Sequence, residues 1–187
     1  RKDIHNVLLK LSEQELISMD NDISAYIKDS VRDELDNHFK HENQLLDYLS
    51  QLPDYQTEID LRELTFDNES DENQVRHIKK TLQSFSHLAK LAKQTFKISF
   101  RKDNAYLKNK ESLEILRKRV KVRQKLAKNI IDRLLGLDAN ENNEVEFSSY
   151  TLKENLKEIS NVTLEGFHHT LVYLHETLKE FKLRNGR

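Results

Sequence analysis

Apolar side chains recur along most of the chain at intervals of three and four, the period that lines one face of an α-helix, and strict alternation is brief wherever it occurs. The first stripe, Ile4, Leu8, Leu11, Met19, Ile23, Ile27, Val31, Leu35, Phe39, Leu46 and Leu49, predicts a helical region over 3–52 that Pro53 closes. Ser12-Glu13-Gln14-Glu15 has the form of a capping box and predicts a helix start after a short leader. Residues 53–70 read as a polar connector. A second region, 71–136, starts behind Ser70 as N-cap, with Asp71 and Glu72 where negative charge suits the helix dipole, and ends at Gly136. Unbroken, it would extend roughly 100 Å. Ile98-Ser99-Phe100 alternates and Asp103-Asn104 could cap a fresh helix, so a kink or short break is expected over 98–104. After a loop over 137–147, a third helix is expected over 149–184. Thr151-Leu152-Lys153-Glu154 forms a second capping box there, and Leu152, Leu156, Ile159, Phe167, Leu171, Leu174, Leu178 and Phe181 form a near-heptad seam. The expectation is an all-α fold: one module over 1–187, an elongated antiparallel three-helix bundle or coiled coil.

Composition supports a lean core and removes most catalytic architectures. Leu, Ile, Val and Phe supply 55 of 187 residues, above the level at which a chain 34% charged stays disordered. The three glycines, Gly136, Gly166 and Gly186, are too scattered for a dinucleotide fingerprint, a phosphate loop or a nucleophile elbow. The absence of cysteine excludes disulfides, thiolate metal sites and cysteine nucleophiles. The longest clear uncharged stretch, Gly166–His175, is far short of a membrane span. The chain opens Arg1-Lys2 with no apolar leader behind it, which reads as an excised fragment or processed chain, and the expected location is the cytoplasm or the cytoplasmic face of a membrane, with the nucleus left open.

A net charge of −1 conceals a sharp partition. Residues 1–75 carry 7 Lys and Arg against 19 Asp and Glu, residues 76–136 carry 18 against 4, and residues 137–187 carry 6 against 9. The densest basic run is Arg117, Lys118, Arg119, Lys121, Arg123 and Lys125, with Lys128 one turn on. Internal pairing of an acidic helix with a basic one would fix orientation more than stability, since exposed pairs contribute about 0–1 kcal/mol each. The same run could instead face lipid headgroups or nucleic acid.

No cofactor, metal or catalytic residue is assigned. His38 and His41 share a helical face with Glu42 nearby, but a pair alone is a weak site. Glu165-Gly166-Phe167-His168 has the Glu-x-x-His spacing of di-iron bundles without the second copy such a centre needs. The acidic stretch Asp138–Glu146 lacks the glycine and ligand spacing of a calcium loop, and the acceptor patterns at Asn68 and Asn161 lack a secretory context.

These observations point to a non-enzymatic protein-interaction or scaffolding module. Phe85, Leu88, Leu91, Phe96, Phe100 and Tyr106 outline a wider face than one partner helix covers, and predict a patch for self-association as a homodimer or for another protein. The alternative is a membrane-surface binder whose basic face would meet anionic lipid; long kinked helices with basic residues on one surface resemble BAR-type membrane-shaping domains in outline. Nucleic-acid binding through the basic helix is the third reading.

Overall fold

The computed structural model describes residues 22–64, 71–93, 96–108, 112–156 and 162–185. It is a mixed α/β structure, which overturns the expected all-α bundle and coiled coil. In chain order the elements are β1 (Asp22–Ile27), α1 (Val31–Gln51), β2 (Glu58–Asp60), a 3-10 turn (Leu61–Glu63), α2 (Asp71–Leu91), β3 (Lys97–Arg101), β4 (Asn104–Lys108), α3 (Leu113–Leu135), β5 (Glu144–Ser148), α4 (Ser149–Leu156), α5 (Leu164–Thr177) and β6 (Phe181–Asn185). No described helix is long and apolar enough to cross a membrane.

Each strand sits where helical periodicity was expected to continue or a loop was expected. β1 falls inside the expected helix 3–52, β2 inside the connector, β3 and β4 at the expected kink, β5 in the acidic loop and β6 at the end of the third helix. The physical reason is shared. Ile23, Ala25, Ile27; Ile98, Phe100; Ala105, Leu107; Val145, Phe147; and Phe181, Leu183 are all two apart, which places each set on one side of a pleated strand. The Ser12–Glu15 box, Ser70, the acceptor pattern at Asn68 and the acceptor Asn161 itself lie outside the described residues.

The chain divides into two compact units, residues 1–37 with 123–187 (unit 1) and residues 38–122 (unit 2). In unit 1 the sheet runs β5-β1-β6, antiparallel throughout. Ala25 stands opposite Val145 on one side and Leu183 on the other, and Ile27 stands opposite Phe181; all five are buried, so one sheet face is core. The start of α4 is capped by Ser148, whose hydroxyl accepts the Thr151 N–H at 3.3 Å, rather than by the expected Thr151 box. Thr163 caps α5 by accepting the Gly166 N–H at 3.0 Å.

In unit 2 the sheet runs β2-β4-β3, again antiparallel. Its core joins Leu45 and Leu49 of α1, Ile59 of β2, Ile78, Leu82 and Phe85 of α2, Phe96, Leu107 of β4, and Leu116 and Val120 of α3. Phe96, Phe100 and Tyr106, expected on helices, therefore belong to the hairpin and its approach.

Candidate functional site

One helix with its end and one hairpin of unit 2 carry nine of its Lys and Arg. On α2, Val75, Ile78, Leu82, Phe85 and Ala89 follow each other at three and four and are buried, which turns the stripe Arg76, Lys80, Gln83, His87 and Lys90 the other way. Arg76, Gln83, His87 and Lys90 are exposed and Lys80 is half-buried. Lys93, at a φ of 58°, turns the chain out of the helix, and its N–H is taken by the Lys90 carbonyl at 2.9 Å. Two contacts lock the hairpin to α2. The Ser86 hydroxyl donates to the Phe96 carbonyl at 3.0 Å, and the Lys79 ammonium stands 5.8 Å from the centre of the Phe100 ring.

The β3–β4 hairpin reverses at Lys102-Asp103, with Lys102 in the left-handed region at a φ of 54°. Lys97, Arg101, Lys102 and Lys108 are exposed on it. Lys97 pairs directly across from Lys108, a like-charge juxtaposition that destabilises a sheet on its own. The tip's acid is held elsewhere: the Asp103 carboxylate lies 3.9 Å from the Arg62 Nε, and its carbonyl accepts the Leu61 N–H at 2.8 Å. From residue 73 to 108 the chain has nine Lys and Arg and one acid. Among the described residues, Arg76, Lys90, Lys93, Lys97, Arg101, Lys102 and Lys108 form no ion pair.

Tyr106, half-buried on β4, stands opposite Glu58 of β2, and the hydrogen bond to that carboxylate holds its hydroxyl above the usual phenol range. Phe85, Leu88 and Phe96 are buried and Phe100 half-buried, so this expected contact face lies largely within the core of unit 2. Packing α2 against a hairpin accounts for the apolar surplus that looked too wide for one partner helix.

The basic run of α3 is split by environment. Arg117 is an internal clamp: its guanidinium donates to Asp47 at 2.9 Å, to the Ser50 hydroxyl at 2.9 Å and to the Leu46 carbonyl at 3.4 Å. Lys118, Arg119 and Lys121 are exposed in unit 2, and Lys125 and Lys128 are exposed in unit 1. Arg123 is only 2% exposed; its guanidinium lies 3.8 Å from the centre of the Tyr173 ring and donates to His169 at 3.2 Å. The position was legible: Leu116, Val120, Arg123, Ala127, Ile130 and Leu134 are three and four apart, so Arg123 lies on the buried stripe.

His168 is bound within its own helix, its Nδ1 2.9 Å from the Leu164 carbonyl one turn back. Among the described residues, no group of three or more His, Asp or Glu side chains is arranged to hold a metal ion. Compared with protein-family models, curated proteins and solved structures, the chain matches none.

Proposed function

We propose that unit 2 is a non-enzymatic nucleic-acid-binding module, with the exposed stripe of α2 laid along the nucleic acid and the β3–β4 hairpin over its phosphates. The observation that carries this reading is the set of basic side chains on α2, its end and the hairpin, seven of them without an acidic partner among the described residues. Phosphates would supply the missing counter-charge and relieve the Lys97–Lys108 juxtaposition. The BAR-like outline loses its support, because it rested on an all-α bundle of long kinked helices, and α2 and α3 are separate helices with a β-hairpin between them.

Fluorescence anisotropy of the full chain with labelled duplex and single-stranded oligonucleotides, at several salt concentrations, tests the reading. Binding should weaken with salt at a logarithmic slope of about −0.9 per phosphate contacted on a duplex, so four to six contacts give roughly −4 to −5. Arg76→Glu with Lys90→Glu, and separately Arg101→Glu with Lys102→Glu, should each lower affinity by roughly tenfold or more and flatten the slope. Absence of binding in both formats, or binding unchanged by these substitutions, counts against it. Affinity for anionic vesicles alone would favour lipid headgroups.

A further inference from the structure

Within unit 2, α1 and α2 meet at a histidine cluster separate from the exposed basic stripe. His38 and His41 stand one turn apart on α1 with Glu42 beside them, and His77 comes from α2. The His41 and His77 rings are stacked, 4.0 Å between centres and 13° from parallel. The His38 ring lies 5.5 Å from that of His77, with Nδ1 of one 3.4 Å from Nε2 of the other. On its far side His38 Nε2 is 3.3 Å from Oε2 of Glu42, whose side chain is fully enclosed. His38 and His41 are buried and His77 is half-buried. Stacked planes keep the ring nitrogens from converging on one point, so the arrangement suits proton uptake better than metal binding.

Charge limits how many protons the cluster accepts. The titratable groups bearing on His41 are His38 and Glu42 from its own helix and His77 from α2. A proton on His41 must enter the stacked pair, with one imidazole 4.0 Å away, another 6.1 Å away and little water to screen it. Burial first, and then the neighbouring His77 and His38, push His41 down from 6.5 to about 3.

We propose that this cluster is an acid-opened latch between α1 and α2: neutral, its stacked rings close the seam between the two helices, and proton uptake parts them within unit 2. A base whose folded pKa lies below its unfolded value holds fewer protons when folded. The latch is therefore complete above the unfolded value of 6.5 and weakens as pH falls from there toward about 3. It holds whether or not unit 2 binds nucleic acid.

Amide hydrogen exchange of the full chain, corrected for intrinsic rates, reads the opening. Between about pH 6.5 and about pH 5, exchange in α2 and in the half of α1 after His38 should rise by up to roughly tenfold per pH unit for each proton taken up. His41→Phe with His77→Phe keeps two stacked rings and removes both imidazoles, and should abolish most of that rise. Imidazole titration by NMR on the unaltered chain needs no variant, and should show His41 neutral well below the ordinary histidine range even if the double variant fails to fold. An equal acid response in both chains, or a His41 titration near 6.5, overturns the latch. So does stabilisation by one equivalent of zinc that the double substitution removes, since the cluster would then be a metal site.

Discussion

The carboxylate of Glu34 accepts two main-chain donors across unit 1, the N–H of Lys179 at 2.7 Å and that of Glu180 at 3.0 Å, and ties the turn after α5 to α1. Hydrogen bonds to a charged group are the stronger kind, so Glu34→Ala should cost about 2–3 kcal/mol in urea unfolding, and Glu34→Gln, which keeps one acceptor, about half as much. His175 acts in the same unit. Its Nδ1 accepts the Leu183 N–H at 2.9 Å, and burial, then the nearby Lys182, lower its pKa. Protonation at Nδ1 ends that bond, so this contribution is present above the unfolded histidine value of 6.5 and is lost as pH falls below it. NMR should place the His175 titration below the free-histidine value, and a normal one would contradict the geometry. Such residue-level roles were poorly legible, because Glu34 and His175 find partners on other elements. Arg123 is the exception, since its place on an apolar stripe announced its burial.

At the scale of elements, the strands were hidden by an arithmetic coincidence. Ile23, Ile27, Val31 and Leu35 are four apart, and four is both near the helical period and twice the strand period. The stripe therefore passes from β1 into α1 without a visible change, although Ala25 between Ile23 and Ile27 marks the alternation. The hairpin tip was masked for another reason. It has no glycine, and Lys102 takes the left-handed conformation that glycine adopts without cost. Lys102→Gly should thus raise thermal stability by up to about 1 kcal/mol, while weakening oligonucleotide binding by the loss of one cation. A fall in stability would show that the turn tolerates the lysine backbone unstrained. Pro53 and Gly136 were read correctly as punctuation, since α1 ends at Gln51 and α3 at Leu135.

At the scale of the whole chain, residues group into two compact units. Leu82 is fully buried in unit 2 and Leu171 nearly so in unit 1. Leu82→Ala and Leu171→Ala should each cost about 2–5 kcal/mol. Hydrogen exchange should show faster opening concentrated in 38–122 for the first and in the β5-β1-β6 sheet for the second; uniform acceleration would mean that the chain opens as one body. Helix-rich, glycine-poor composition, the buried stripes of α1, α2 and α3, and the basic middle third follow from the order of residues alone, because propensity, periodicity and charge are local sums. Strand pairing, the ring and imidazole that Arg123 meets, and the meeting of His77 with His38 and His41 join residues distant in sequence. Only the folded chain could settle those, since no local pattern records which partner a short strand or a buried charge will meet.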